Sequence, residues 1–435
     1  MSNGKTKRVL IITYYWPPSG GAPVQRWLKF AKYLERFGWQ PVIYTPENPE
    51  SFYDDESLMR DVPKDIEIVK SHIWEPYDIY RMLTGKKGEK IAVGFTSADK
   101  KKGVSHNLLM WLRGNLLIPD PRIFWVNPSV RFLKKYLKEN PVDVVVTTGP
   151  PHSLHLIGLK LKRKLKVKWL ADFRDPWTNI YYIDDLKLGK IAKSIHSRLE
   201  RKVVSCADIV TVVSRGMKNY FESVGASNIE ILTNGFDRED WKRCDITQDK
   251  SFTITHVGTL TPFSNPVSVW QALSELCKSN ATFNSSLVIR LVGHVDSKVL
   301  EYIKQCGLID KTVIVGQVTH DDALKYQLRS QVLLLAIPNV INSEGILTGK
   351  FFEYMAANRK ILAVGSKRSD LIKILKDTRV GDLVEYDNVA ETKGIIENYF
   401  EFYLLNQLNS NGYNAEVYSR VEITRKLANI LDKML

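Results

Sequence analysis

The chain has 435 residues, a formal net charge of +14 and four cysteines. Its 44% hydrophobic and 25% charged residues are typical of a globular protein and exclude a disordered, collagen-like or coiled-coil chain. No apolar run approaches the ~20 residues of a membrane-spanning helix. The cysteines form no C-x-x-C pair, so neither a disulfide scaffold nor a zinc or redox site is expected. We therefore expect a cytoplasmic protein of two or three domains with an anionic partner.

Short apolar, β-branched runs alternate with amphipathic stretches, the pattern of parallel sheets built from βαβ units. Residues 8–13 are predicted as a first strand rather than a secretory signal, because the apolar run is short and ends in prolines. A helix begins near Pro23 and ends before Gly38. Residues 46–140 interrupt the pattern and are interpreted as an insertion. The other predicted strands are 42–44, 143–147, 167–172, 208–213, 253–257, 288–292, 312–315, 332–336 and 360–364, and the clearest helices are 107–117, 128–138, 154–161, 186–204 and 413–435.

The elements form two doubly wound α/β halves of similar size with a hinge at residues 233–245. We assign residues 1–238 to an N-terminal domain, 239–410 to a second domain and 411–435 to a closing helical segment. In open parallel sheets, ligands bind at the carboxyl ends of the strands. We therefore expect a ligand-binding cleft between the two halves.

Three motifs of the first half follow predicted strands. The pair Gly20-Gly21 precedes a helix, where backbone amides can hold a phosphate, although a plain tight turn has the same signature. His152 lies at the next such junction and can bind a sugar hydroxyl, or only cap the helix. Asp172 and Arg174 follow another strand, either as ligand contacts or as an ion pair that braces a loop.

A glycine-bearing loop in the second half leads into a helix at Gly349. The helix N-terminus and Lys350 together suit a diphosphate. Glu353, one turn further on, can accept hydrogen bonds from ribose hydroxyls, and Glu344 can meet the hydroxyls of a sugar. The alternative is a surface loop with scattered charges.

The sequence lacks the motifs that are typical of several other classes of protein. The sequence contains no D-x-D, H-x-x-x-H or H-E-x-x-H, so a protein-held metal is not expected. It contains no G-x-S-x-G elbow of serine hydrolases. No pattern of a nucleic-acid-binding module accompanies the positive charge, so nucleic acid is not the expected partner.

Four segments, in this order over nearly the whole chain, resemble bacterial GT-B glycosyltransferases of the retaining group 1, or family 4, type. They are Tyr14–Trp27, Ala171–Trp177, Asn234–Asp237 and Gly349–Ala356. The resemblance implies two Rossmann-like domains that face a cleft, with a UDP- or GDP-linked sugar donor bound by the C-terminal domain and the acceptor by the N-terminal one. It also implies a final helix that crosses back to the first domain, and no cofactor.

Carried over by position, Glu353 matches the second glutamate of the family's E-x7-E pair, whereas Glu344 is one residue too far for the first. The family's basic residues after the first strand of the second domain have no counterpart between Gly258 and Pro266. Either Lys350 supplies this charge, as we predict, or donor binding is weak or altered. The implied donor-binding residues are Gly258, Thr259, Gly349, Lys350 and Glu353, and the implied residues of the reacting centre and acceptor are Gly20, Gly21, His152, Asp172, Arg174 and Glu344.

The implied activity is sugar transfer, with retention, to a lipid-linked or saccharide acceptor in cell-surface polysaccharide assembly. Basic runs at 100–102, 160–166 and 187–202, with apolar residues 108–112, predict contact with an anionic membrane at the inner face. Solvated basic faces are the alternative. For the whole chain, the alternatives are a non-catalytic binding protein of the same fold and a nucleotide-sugar epimerase.

Overall fold

The computed structural model of the chain describes residues 6–51, 53–75, 111–181, 183–241, 246–410 and 412–435. The chain forms two compact units, of which the first contains the described residues up to Thr233 together with Ile423–Leu435, and the second contains Asn234–Glu422. Each unit has a parallel sheet flanked by helices, which confirms the predicted pair of doubly wound α/β domains. Residues 100–102, 107–110 and Cys244, on which part of the predictions falls, lie outside the described residues.

In the described part of the first unit, seven parallel strands form a sheet in the order β3-β2-β1-β4-β5-β6-β7. The strands are β1 (Lys7–Ile12), β2 (Trp39–Pro46), β3 (Glu67–Ser71), β4 (Val144–Gly149), β5 (Lys168–Phe173), β6 (Ile209–Val212) and β7 (Ile229–Ile231). The central strands β1 and β4 are almost entirely buried, as is typical of a parallel sheet with helices on both faces. The chain turns outward from β1 and returns at β4, so the crevice at a topological switch point opens between these two strands.

Within the described residues, six helices with defined limits belong to this unit. They are α1 (Ala22–Leu34), α2 (Ile123–Glu139), α3 (Ser153–Leu165), α4 (Lys190–Cys206), α5 (Arg215–Val224) and, at the C-terminus, the helix Arg420–Asp432, most of which lies in the first unit. Residues 111–116 are also helical. The C-terminal helix packs Ile423, Leu427 and Leu431 into the core of the first unit, and its Asp432 accepts hydrogen bonds from Lys7 and Trp39.

The second unit has six parallel strands in the order β10-β9-β8-β11-β12-β13. The strands are β8 (Phe252–Val257), β9 (Leu287–Val292), β10 (Thr312–Gly316), β11 (Val332–Ala336), β12 (Lys360–Val364) and β13 (Gly381–Val384). The helices are α6 (Arg238–Trp241), α7 (Val267–Ser279), α8 (Ala281–Ser286), α9 (Ser297–Gln305), α10 (His320–Arg329), α11 (Gly349–Ala356), α12 (Asp370–Thr378) and α13 (Val389–Leu404); the C-terminal helix is α14. The switch point of this sheet lies between β8 and β11.

Three strands are absent from the sequence prediction. β3 lies inside the predicted insertion, β7 has three residues, and β13 follows the last predicted strand. The predicted helix 128–138 begins earlier, at Ile123, and contains Pro128 within its length. The predicted final helix 413–435 is shorter, because a 3₁₀ turn at Ala415–Tyr418 precedes α14.

Among the described residues, no helix combines the length and the hydrophobicity that crossing a bilayer requires.

Candidate functional site

The glycine pair lies between β1 and α1, at the switch point of the first unit. Gly20 donates its backbone N–H to the Tyr53 carbonyl at 2.8 Å, and a Cβ on Gly20 would collide with the Tyr53 ring. Gly21 caps α1 with a φ of 101°, in the left-handed region that favours glycine. The pair is thus part of a close-packed turn at the carboxyl end of β1, where the prediction placed it.

Asp172 is fully buried at the end of β5, and neighbouring side chains occupy both of its carboxylate oxygens. Arg26 donates to the two oxygens at 2.9 and 3.2 Å, and Trp27 Nε1 donates at 2.8 Å. The hydroxyls of Thr148 and Thr211 donate at 3.0 and 2.8 Å. Burial alone raises the pKa of Asp172, but the Arg26 charge and these hydrogen bonds outweigh it and lower the pKa. This arrangement favours a bracing role for Asp172 over ligand contact, with Arg26 rather than Arg174 as its partner.

Arg26 is a residue of the site region that the sequence analysis missed. Its guanidinium also donates to the carbonyl oxygens of Leu232 and Thr233, at 2.8 and 2.9 Å, so it fixes the last residues of the first unit. The available signal was an arginine beside Trp27 on the apolar face of α1, where a cation requires a buried partner.

Arg174 is half-buried just beyond β5 and binds backbone rather than Asp172. Its Nε donates to the Gly149 carbonyl at 3.3 Å, and its terminal nitrogen donates to the Pro150 carbonyl. Its backbone N–H also donates to Gly149, at 3.0 Å. Arg174 therefore joins the loops that follow β4 and β5, at the edge of the sheet where ligands bind in this class of fold.

His152 is the N-cap residue of α3, directly after the β4 loop. Its ring stacks on Trp177 with centroids 5.0 Å apart and an interplanar angle of 4°. Burial lowers the pKa of His152 well below its usual range, and the neighbouring His155 and Arg174 lower it further. His152 is therefore a neutral imidazole at physiological pH, and its orientation is fixed by an aromatic neighbour.

Glu200 of α4 holds the segment that carries Trp177. It accepts hydrogen bonds from the backbone N–H groups of Trp177 and Thr178, at 3.2 and 3.1 Å, and from Tyr220 at 2.9 Å. Burial raises the pKa of Glu200, and these hydrogen bonds oppose that effect. Glu200 is not among the predicted site residues, because a glutamate within a basic helix resembles a surface residue.

In the second unit, Lys350 lies against Gly258 at the switch point between β8 and β11. A Cβ on Gly258, whose φ is 125°, would collide with the Lys350 ammonium, so glycine is required here on both counts. The carbonyl of Gly258 also approaches Gly293, which follows β9, so closely that a Cβ there would lie 2.5 Å from it. Burial lowers the pKa of Lys350, and the nearby Glu353 carboxylate raises it.

The segment after Gly258 has polar side chains where the resembled family has basic ones. Thr259 is exposed, whereas Ser264 is buried and forms a reciprocal capping box with Thr261. Asn265 accepts a hydrogen bond from Trp270 Nε1 at 2.8 Å. Ser264 and Asn265 thus stabilise the turn itself, and the cation that lies against Gly258 is Lys350.

The two acidic candidates of the second unit lie in different environments. Glu353 is half-buried one turn into α11, on the helix that begins with Gly349 and Lys350. Glu344 lies in a 3₁₀ turn, Ser343–Gly345, and its carboxylate pairs with Arg368 Nε at 2.8 Å. Glu353 therefore shares a helix with the candidate diphosphate residue, whereas Glu344 is bound to an exposed arginine.

The two α/β units define the GT-B fold of glycosyltransferases, as comparison with solved structures shows. Sucrose-phosphate synthase from Thermosynechococcus elongatus matches with a TM-score of 0.64 at 12% identity, over 98% of this chain and 99% of that one. HepE from Anabaena, in complex with UDP and glucose, matches with a TM-score of 0.60 at 13% identity, over 98% of this chain and 99% of that one. WaaG, a glycosyltransferase involved in lipopolysaccharide biosynthesis, matches with a TM-score of 0.55 at 13% identity, over 97% of this chain and 99% of that one.

Within the sequence, residues 95–240 match the model of Glycosyltransferase Family 4. This match covers much of the first unit, and together with the fold it supports the glycosyltransferase family that the motifs resemble. No curated protein sequence matches the chain.

Proposed function

We propose that this protein transfers a sugar from a nucleotide-diphosphate sugar to a lipid-linked or saccharide acceptor, with retention of configuration and without a metal. The observation that carries the proposal is the position of Lys350: its ammonium lies against Gly258 at the switch point of the second unit, on the first turn of α11. A cation that a glycine allows to lie against the backbone, beside a helix N-terminus, is suited to a diphosphate.

The leaving group of the reaction is a nucleoside diphosphate, on which negative charge develops in the transition state. Thr348 makes no side-chain cap on α11, so the first amides of this helix remain available to phosphate oxygens. Lys350 adds a positive charge that is half-buried and therefore poorly screened by water. Glu353, on the same helix, binds the ribose hydroxyls in this proposal.

Retention is proposed as attack on the face from which the diphosphate departs, with the acceptor hydroxyl giving its proton to a departing phosphate oxygen. The strongest support is the state of Asp172, since both oxygens of this carboxylate are already engaged by Arg26, Trp27 and two threonines. It is therefore a poor nucleophile. Of the first-unit residues, His152, Arg174, Gly20 and Gly21 would bind the acceptor or the transferred sugar.

UDP is the proposed donor nucleotide, with GDP as the alternative, because HepE was solved with UDP and glucose. The acceptor is assigned to the assembly of cell-surface polysaccharide. That assignment is supported by the similarity to WaaG, which acts in lipopolysaccharide biosynthesis.

An anionic membrane at the cytoplasmic face is the proposed location of the acceptor. The first unit has 41 Lys and Arg against 25 Asp and Glu, a net +16, whereas the second has 21 against 23, a net −2. The helices α2, α3 and α4 are neighbours, as the bonds from Lys160 to Asn127 and from Arg163 to Cys206 indicate. Their cations are Arg131, Lys134, Lys135, Lys138, Lys160, Lys162, Arg163, Lys164, Lys190, Lys193, Arg198, Arg201 and Lys202.

Exposed apolar side chains lie at one end of this basic surface. Ile191, at the start of α4, is 79% exposed, and Leu116 is 65% exposed. Asn115 accepts a hydrogen bond from the Gly189 N–H at 2.7 Å, which holds the two chain segments that carry these residues together. Apolar side chains flanked by lysines are the composition of a helix that lies in a membrane interface.

Substitution of Lys350 tests the assignment of the diphosphate. In Lys350→Met, the loss of one charge-stabilising contact is expected to lower kcat about 100-fold or more, while the protein keeps its fold. Turnover is measured with UDP- and GDP-sugars, and donor binding by calorimetry. The matched control is Lys304→Met, an exposed lysine on α9 of the same unit. Full activity of Lys350→Met, or equal loss in both variants, would contradict the assignment.

A further inference from the structure

A second histidine lies beside His152 on α3. His155 is fully buried, and its ring centroid is 5.8 Å from that of His152. Within the described part of the chain, His155 Nε2 and His152 Nδ1 are both buried and have no hydrogen-bond partner. Two such nitrogens on neighbouring side chains require an explanation, since buried polar atoms in folded proteins are almost always hydrogen-bonded.

The two nitrogens face the same small space, which exists because residue 149 is glycine. A Cβ on Gly149 would lie 2.5 Å from His155 Nε2 and 3.0 Å from His152 Nδ1. The nitrogens are therefore no more than 5.5 Å apart. At this separation, a small shift of the rings or one water molecule connects them by hydrogen bonds.

Thr147 contacts the other nitrogen of the His155 ring and thereby links the proton of His155 to the hydroxyl proton of Thr147. Thr147 Oγ1 accepts the indole N–H of Trp169 at 2.9 Å and lies 2.9 Å from His155 Nδ1. If the single hydroxyl proton of Thr147 is donated to His155 Nδ1, the proton of the neutral His155 ring must be on Nε2. His155 then presents an N–H toward His152 Nδ1, and in a direct hydrogen bond between the rings Nδ1 accepts that proton with its lone pair.

We propose that His155 is a positioning residue that locks His152 in the tautomer with its proton on Nε2. His152 thereby becomes a hydrogen-bond donor to a ligand oxygen, either a sugar hydroxyl or a phosphate oxygen, and is unsuited to act as a general base through Nε2. The relay runs from Trp169 through Thr147 and His155 to His152. Trp177 holds the His152 ring by stacking.

Burial supports the relay, because it keeps both rings neutral. It lowers the pKa of His155 to about 3 and lowers that of His152 well below its usual range. A neutral imidazole has one donor and one acceptor nitrogen, so the state of one ring determines the state of the other. The role of His152 toward a ligand rests on the proposed function, whereas its tautomer does not.

The tautomer is measured by long-range ¹H–¹⁵N correlation NMR on the full chain at neutral pH. The chain has eight histidines, and His152→Gln assigns the His152 signals by their loss. We expect the wild-type His152 ring to show a protonated Nε2 and an unprotonated Nδ1. A wild-type His152 with its proton on Nδ1 would overturn the proposal, whether or not the protein has transferase activity.

Two variants of His155 separate positioning from packing. In His155→Phe, which keeps a buried ring but has no donor, the His152 signals should shift to a mixture of tautomers and kcat should fall about five- to tenfold, the effect of one lost hydrogen bond. In His155→Gln, whose amide restores a donor near Nε2, the wild-type tautomer and most of kcat should return. Identical His152 signals in all three proteins would overturn the proposal.

Thr147→Val provides a further readout that does not require activity or a substitution of either histidine. It removes the hydroxyl at nearly constant side-chain volume, so the proton of His155 should redistribute between its two nitrogens. Unchanged signals from both rings in a folded Thr147→Val protein would show that the relay does not begin at Thr147 and would overturn the proposal. Thermal unfolding confirms that each variant is folded.

Discussion

At the scale of single residues, the buried charges of Arg26 and Asp172 are paired within a small network whose members come from distant parts of the sequence. Asp172 and Arg26 are separated by 146 positions, yet they form a bidentate pair that is almost completely excluded from solvent. A buried pair of this kind is costly to break, because removal of one partner leaves an uncompensated charge. The pair joins α1, β5 and the end of the first unit.

Breaking this pair should destabilise the first unit strongly. We expect Arg26→Met to lower the free energy of unfolding by about 3–5 kcal/mol, because it leaves the Asp172 carboxylate buried without its cation. The double variant Arg26→Met with Asp172→Asn should recover part of this loss. Urea unfolding measures the free energy of unfolding of the single and the double variant. As a control, Glu222→Gln breaks an exposed i,i+4 pair with Lys218 and should change stability by less than about 0.5 kcal/mol.

The pH dependence of stability follows from buried neutral histidines, of which His256 is the clearest in the second unit. Its Nδ1 lies 3.0 Å from the Leu334 carbonyl, and burial, together with the Lys350 charge, lowers its pKa to about 3. The unfolded chain takes up a proton near pH 6.5 and the folded chain does not. Stability is therefore lost as pH falls below 6.5, by about 2 kcal/mol per such histidine between pH 7 and pH 5.

Substitution of His256 should remove its share of this loss. In His256→Asn, whose amide can still donate to the Leu334 carbonyl, the difference in unfolding free energy between pH 7 and pH 5 should shrink by about 2 kcal/mol. Urea unfolding at the two pH values measures the difference. Equal pH dependence in wild type and His256→Asn would show that His256 is protonated in the folded state.

At the scale of elements, the sequence predicts what depends on local pattern and misses what depends on tertiary contact. The predicted strands 332–336 and 360–364 coincide with β11 and β12, because central strands of a parallel sheet are continuous apolar runs. β3 escapes prediction because it is an edge strand, in which Glu67 and Lys70 interrupt the apolar residues. β7 is too short to give a pattern.

In the candidate site, too, local sequence pattern predicts some features, whereas others depend on tertiary contacts. The loops that carry Gly20, His152 and Lys350 can be found from the sequence, because each follows an apolar strand and precedes a helix. The partners of these residues cannot be found in this way. Arg26, Glu200 and Gly293 act through contacts over long sequence separations, and no local pattern records which strand ends meet.

At the scale of the whole molecule, the positive charge belongs to the first unit alone, although the average composition gives no indication of this. The net charge is +16 in that unit and −2 in the second, which holds the candidate diphosphate site, and this asymmetry supports the proposal of an anionic partner other than the nucleotide. A positive charge that is concentrated in the first unit favours attraction of that unit to an extended anionic surface.

Binding to vesicles tests this attraction. Wild-type protein should sediment with vesicles that contain anionic lipid at low salt and should be released as the salt concentration rises. Each cation near the surface contributes roughly 1 kcal/mol to binding of an anionic membrane. The triple variant Lys190→Gln, Lys193→Gln, Arg198→Gln should therefore weaken partitioning into the vesicles about 100-fold. Ile191→Ser should weaken it at all salt concentrations, because the apolar contribution is not screened.

The matched control removes the same number of charges from the second unit, by Lys298→Gln, Lys304→Gln and Lys376→Gln, and should leave partitioning unchanged. Equal weakening in the two triple variants would indicate attraction by net charge alone, without a defined surface. If wild-type protein does not bind anionic vesicles at low salt, the membrane proposal is wrong. The basic helices would then be solvated faces, and a soluble saccharide would become the favoured acceptor, because the donor assignment at Lys350 does not depend on the membrane.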